Sequence, residues 1–148
     1  MPSLYETDYF KWAMDTAAAL REGRLQDVDL EAAAEEIEDL GKSERRSLHS
    51  ALVQLFLHLL KSKHQPNLAT VSWEVSIEKQ RRKIATILEE NPSLKRYTKD
   101  TAFMNDVYAE AVLDAIIETG LSKETFPSES PFTIADTKAK GTAKRKKR

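Results

Sequence analysis

Arg45, Arg46 and His49 are the residues whose types and spacing first suggest chemistry. Arg45 and His49 stand four apart, so a helix sets them on one face. A guanidinium that stabilises developing charge beside an imidazole that moves a proton is a minimal set for phosphoryl transfer or hydrolysis. A small nuclease or other hydrolase is therefore one reading of the sequence. Charged residues close to a helix start are more commonly solvated, which favours a reading without turnover.

A second set emerges when each helical segment is turned through about 100° per residue and its polar residues are compared with the apolar stripe. Asp8 falls about 40° from Trp12 on such a wheel. Glu36 adjoins Ile37 at a stripe edge, Arg45 shares the side of Leu48 and Leu52, and His58 flanks the line of Leu55 and Leu59. Gln80 and Arg81 fill slots between Ile77 and Ile84 where leucine is expected. An inward guanidinium without a partner costs several kcal/mol, so Arg45 and Arg81 call for carboxylates such as Asp8 or Glu36. Asp8, Glu36, Arg45, His58, Gln80 and Arg81 thus form a candidate inter-helix polar cluster. It serves either as an ion-pair set that fixes helix register or as a cleft for an anionic group.

Metal chemistry finds no support in the spacing. His49, His58 and His64 are separated by nine and six residues, which spreads them around a helix. There is no Glu-x-x-His pair, no His-Glu-x-x-His, and no cysteine to supply a thiolate. Gly-rich phosphate loops and nucleophile elbows are also missing, so no metal and no cofactor is expected.

The elements that must position these residues are helices. Apolar residues recur at three and four, and strict alternation never persists, which predicts an all-α fold. The first helix is expected over about Glu6 to Glu22, with Tyr5, Tyr9, Trp12, Thr16 and Leu20 on one side and Gly23 as its stop. Asp29 caps a second, Leu30 to Leu40, whose narrow stripe is Leu30, Ala33, Ala34, Ile37 and Leu40 and which Gly41 should end. Ser43 caps a third, Glu44 to about Lys63, apolar on most sides and hence central. The fourth spans roughly Val71 to Glu90. A fifth helical region runs from Pro92 to Thr119, broken near Tyr97 to Asp100, and stops at Gly120. Phe126 to Pro131 reads as an extended strap pinned by Phe126 and Phe132.

Length and charge bound the rest. The chain has 148 residues, 41% of them hydrophobic, enough for one core and too many for a disordered chain. The net charge of −1 hides an asymmetry: Lys138, Lys140, Lys144, Arg145, Lys146, Lys147 and Arg148 follow the last acid, Asp136, and leave residues 1–136 at −8. The expected division is a helical domain over 1–136 and a disordered basic tail over 137–148. The longest apolar run, Ala51 to Leu60, is about half of what a bilayer requires, and the N-terminus lacks a signal-peptide pattern, so a cytoplasmic protein is expected.

Several stretches resemble one family. Tyr5-Glu6-Thr7-Asp8 with Trp12, Leu30-Glu31, and Glu35 through Gly41 into Ser43-Glu44-Arg45-Arg46 are its leading features. His58-Leu59-Leu60-Lys61 with Gln65-Pro66, Ser72-Trp73 with Ile77 and Gln80-Arg81, Pro92-Ser93-Leu94, Glu118-Thr119-Gly120-Leu121 and Phe126-Pro127 follow in order. Together they resemble family twenty-nine of the bacterial domains of unknown function, over about residues 5 to 134. The resemblance implies a compact helical bundle and carries no established activity.

The resulting expectation is a bundle of about five helices with a C-terminal strap and a basic tail, acting as a non-enzymatic interaction protein. The partner expected is a protein bound through a helix face or the polar cleft, with weak nucleic-acid contact through the tail, and the alternatives are the small hydrolase and a homodimer whose activity is only assembly.

Overall fold

Asp8 shows how local chemistry sets the first elements. The computed structural model describes residues 2–138, and in it a short helix α1, Leu4–Thr7, ends where Asp8 leaves helical geometry. The Asp8 carboxylate accepts the Lys11 backbone N–H at 3.0 Å and so caps α2, Tyr9–Arg21. The continuous helix expected over Glu6 to Glu22 is thus two helices. Gly23 follows with φ 73°, a left-handed stop that glycine adopts without steric cost.

The largest departure from the sequence pattern is α3, which runs unbroken over Leu30–His64 where two helices meeting at Gly41 were expected. Asp29 does cap it, accepting from the Ala32 N–H at 3.1 Å. Gly41 lacks the positive φ of a C-terminal stop, and no atom lies within 4 Å of where its Cβ would be. An interior glycine costs only about 1 kcal/mol relative to alanine, which the strong helix formers on either side offset.

Thr70 caps α4, Val71–Glu90, and Asp100 caps α5, Thr101–Thr119, each accepting from the backbone N–H three residues on. Between them Pro92–Lys99 forms a 3₁₀ segment, so the expected break near Tyr97 is present. Gly120 ends α5 at φ 73°. The described residues contain no strand, and the protein is all-α. None of its described helices is long and apolar enough to cross a membrane.

The chain divides into two compact units, Met1–Ser43 and Glu44–Arg148. In the second, Leu48, Leu52, Leu55, Phe56 and Leu60 of α3 are sealed from solvent with Ile84 of α4 and Val107, Ala111 and Ala115 of α5. The strap completes this core. Phe126 is buried, the Phe132 ring lies 4.9 Å from that of Phe56, and Tyr108 Oη donates to the Pro127 carbonyl at 2.7 Å. A closing 3₁₀ turn, Ile134–Thr137, is capped by Asp136 accepting from the Thr133 N–H at 2.7 Å. Thr137 is buried, so the packed chain extends one residue past Asp136.

In the first unit the buried hydrophobics are Trp12, Ala19, Val28 and Ala32. The Leu30, Ile37 and Leu40 stripe, expected to pack, is exposed instead. Ala32, on the other side of the helix, is buried, and small alanines there permit close backbone approach.

Candidate functional site

The residues of the expected polar cluster do not converge on one another, and all but Gln80 have a separate partner among the described residues. In the first unit Asp8 is the cap of α2, and Glu36 receives two phenols: Tyr5 Oη donates to one carboxylate oxygen at 2.7 Å and Tyr9 Oη donates to the other. The Tyr5 and Trp12 rings pack at a 54° tilt with centroids 4.5 Å apart, and Tyr9 lies 5.7 Å from Trp12. The hydrogen bond to Glu36, then partial desolvation and the charges of Glu36, Glu35 and Asp39, push the Tyr5 phenol up to about 12. Aromatic residues from α1 and α2 thereby grip the acidic start of α3.

In the second unit the remaining four also diverge. Arg45 Nη1 donates to Tyr97 Oη at 3.3 Å, and Arg81 Nε donates to the Asp136 carbonyl at 2.8 Å, holding the closing turn against α4. Both guanidiniums meet neutral oxygens where the sequence suggested carboxylates. His58 Nδ1 bonds its own helix at the Gln54 carbonyl, 2.9 Å away, and Gln80 Oε1 is buried without a partner among the described residues. No hydrogen bond joins any two of these four. Of the basic tail residues only Lys138 lies within the described chain; Lys140, Lys144, Arg145, Lys146, Lys147 and Arg148 fall outside it.

Two groupings emerge that spacing did not reveal. The first is built on His49, whose Nε2 lies 2.8 Å from Asp106 Oδ2 and whose Nδ1 lies 3.8 Å from Glu110 Oε2. Asp106 and Glu110 are one turn apart on α5, and the Phe103 edge meets the imidazole at 5.3 Å. Three ligand atoms here fall within 4.8 Å of one another, a possible metal set that the histidine spacing alone did not indicate. Each ring nitrogen faces a different carboxylate, however, so a single ion bound at one nitrogen would leave the carboxylate at the other out of line. The Asp106 contact also gives His49 the orienting carboxylate that a proton-transfer residue uses.

The second grouping centres on Tyr97. Arg96 Nη2 donates to the same phenol oxygen at 3.1 Å, and both guanidiniums lie over the ring, 5.6 Å from its centroid for Arg45 and 5.0 Å for Arg96. Hydrogen bonds from these two cations hold the phenol below its ordinary value, against a smaller opposing effect of burial. Asn91 donates through Nδ2 to Glu44 at 3.0 Å and to the Ile87 carbonyl. Lys61 combines a 2.8 Å ion pair to Glu118 with a position 4.7 Å above the Trp73 ring, tying α3, α4 and α5 together.

Fold and side chains define an all-α protein with a closed three-helix core in one unit and an acidic, aromatic-clamped unit before it. The chain belongs to the family described as Domain of unknown function DUF29, which it matches over residues 4–140. No curated protein and no solved structure gives a significant match.

Proposed function

We propose that this protein is an interaction module whose first unit docks a basic amphipathic helix of a protein partner. The observation that carries this reading is the coincidence of exposed apolar surface with negative charge. Of the fifteen large hydrophobic residues exposed among the described residues, nine lie between Leu4 and Leu40. Phe10 (74% exposed) and Met14 stand one turn apart on α2, while Leu30, Ile37 (67%) and Leu40 (70%) follow one stripe of α3. An exposed apolar stripe such as that of α3 marks an interaction site. The same 43 residues hold eleven acids against four bases, a net charge of −7. Equal negative charge opposes pairing with a second copy of this face, whereas a helix with lysine or arginine flanking an apolar stripe matches both of its properties.

The test titrates the full chain with a synthetic Leu/Lys amphipathic helix and with a scrambled peptide of the same composition. The amphipathic peptide should bind more tightly, and Ile37→Ser with Leu40→Ser, on one stripe of α3, should weaken it about tenfold, the loss of a modest interface anchor. Equal binding of both peptides, or binding indifferent to the double substitution, contradicts the reading. The basic run from Lys138 onward is proposed as a weak nucleic-acid contact. Truncation after Lys138 should abolish nucleic-acid binding and its salt dependence.

A second reading, a small hydrolase, is favoured by the 2.8 Å contact of His49 with Asp106, one helical turn from Arg45. Cleavage of total RNA that disappears in His49→Ala would establish it, and absence of His49-dependent cleavage removes it.

A further inference from the structure

We infer that Arg45, Arg96 and the Tyr97 hydroxyl form a binding site for a phosphate group, of the phosphomonoester or free phosphate kind. The inference rests on the second unit alone and is independent of the docking face of the first.

Donor and acceptor valence leads to it. The phenol oxygen of Tyr97 accepts one N–H from each guanidinium, so both of its lone pairs are engaged. Its own O–H then remains as a donor, and no acceptor for it occurs among the described residues. Each guanidinium has spent one of five N–H groups on the phenol and forms no ion pair among the described residues. Three side chains therefore offer donors around one point, and none offers an acceptor. The acid nearest in sequence, Glu44, accepts from Asn91.

Charge leads to the same conclusion. Two guanidinium nitrogens held within 3.3 Å of a single oxygen repel one another. Arg46 on α3 and Lys95 and Lys99 on the 3₁₀ segment add positive charge without an ion-paired acid among the described residues. In a 3₁₀ helix residues three apart eclipse, so Lys99 lies on the same side as Arg96. By contrast Lys61 and Arg82, elsewhere in the unit, each have a carboxylate. A ligand that relieves this arrangement carries about two negative charges and more than two acceptor oxygens. Phosphate has both at neutral pH, and guanidinium forks match its geometry, whereas a single carboxylate brings one charge and two oxygens.

The site sits where α3 meets the 3₁₀ segment. Phe103 bridges it to the His49 pair, its ring 5.2 Å from Tyr97 and 5.3 Å from His49. A bound phosphate would thus lie one aromatic ring away from an imidazole held by Asp106.

The test is calorimetric titration of the full chain at low ionic strength with inorganic phosphate and with glycerol phosphate, using chloride as the reference anion. Binding should be saturable, and Arg96→Gln should weaken it about tenfold or more, the usual effect of losing one charge-assisted hydrogen bond. Tyr97→Phe, which keeps the ring and removes only the hydroxyl, should weaken it severalfold. Arg82→Gln, an equal loss of charge on α4, should leave it unchanged. Arg96 is exposed, so its variant reports on the site even if Arg45→Gln perturbs folding. Tighter binding of the ester identifies a phosphorylated small molecule and equal binding identifies free phosphate, and both support the site. Absence of saturable binding, or equal losses in Arg96→Gln and Arg82→Gln, overturns it.

Discussion

In the Glu44–Arg148 unit leucines on successive turns of α3 are sealed against α4, α5 and the strap, whereas in the Met1–Ser43 unit the leucines and isoleucine of the same helix face solvent. Seventeen of the buried hydrophobic residues belong to the one cluster in the later unit and four to the earlier unit. The helical pattern is similar in both. What differs is whether a partner element exists to cover the stripe, and amphipathicity alone does not encode that. The early unit packs Tyr5, Tyr9 and Trp12 together at tilted angles and bonds both phenols to Glu36, and its apolar stripe stays exposed.

The comparison can be broken most forcefully in the core. Leu52→Ala, at a position with no solvent exposure, should destabilise the protein by about 2–5 kcal/mol in denaturant unfolding, through lost burial and the cavity left behind. An effect below about 1 kcal/mol would mean the two units are not differently packed.

Alkaline pH separates the units by a different route. The Tyr5 phenol is raised from 10.0 to about 12, so its neutral form is favoured in the folded state. That contribution is fully present below pH 10 and is lost as pH rises through about 12. Absorbance at the phenolate band should show Tyr5 ionising late, alongside Tyr108, whose phenol burial raises, and Glu36→Gln should return Tyr5 alone toward the ordinary value. A Tyr5 titration unchanged in Glu36→Gln would remove the clamp.

Glycine substitutions sharpen the contrast further. Gly120→Ala forces alanine into φ 73° and should cost about 1 kcal/mol. Gly41→Ala, inside α3 with open space around the new methyl, should instead stabilise by about 0.5–1 kcal/mol. Destabilisation at position 41 would indicate that the helix breaks there. The smallest effect is expected for Ile37→Ser, within about 0.5 kcal/mol, because nothing covers that side chain.

Much of the fold was legible in local signals. The span of α4, the glycine stop of α5, the Asp29 cap and the break before Asp100 all follow from capping chemistry and periodicity, which act within a few residues. Gly41 misled because a glycine stop and a tolerated interior glycine look identical until φ is known. The inter-helix contacts were not legible. His49 and Asp106 are 57 residues apart, as are Lys61 and Glu118, and Arg45 and Tyr97 are 52 apart. A helical wheel locates a side chain around its own axis and says nothing of which neighbour it meets. The wheel called for carboxylates at Arg45 and Arg81, whereas a phenol and a backbone carbonyl accept from them.

The central proposal is that the docking surface lies in the first unit. Hydrogen exchange on the full chain, with and without the amphipathic Leu/Lys peptide, tests it most directly. The account predicts that the peptide slows exchange in α2 and in α3 before Ser43, and leaves the amides of α5 and of α3 beyond Leu48 unchanged. Protection confined to the second unit, or no change anywhere under saturating peptide, would contradict it.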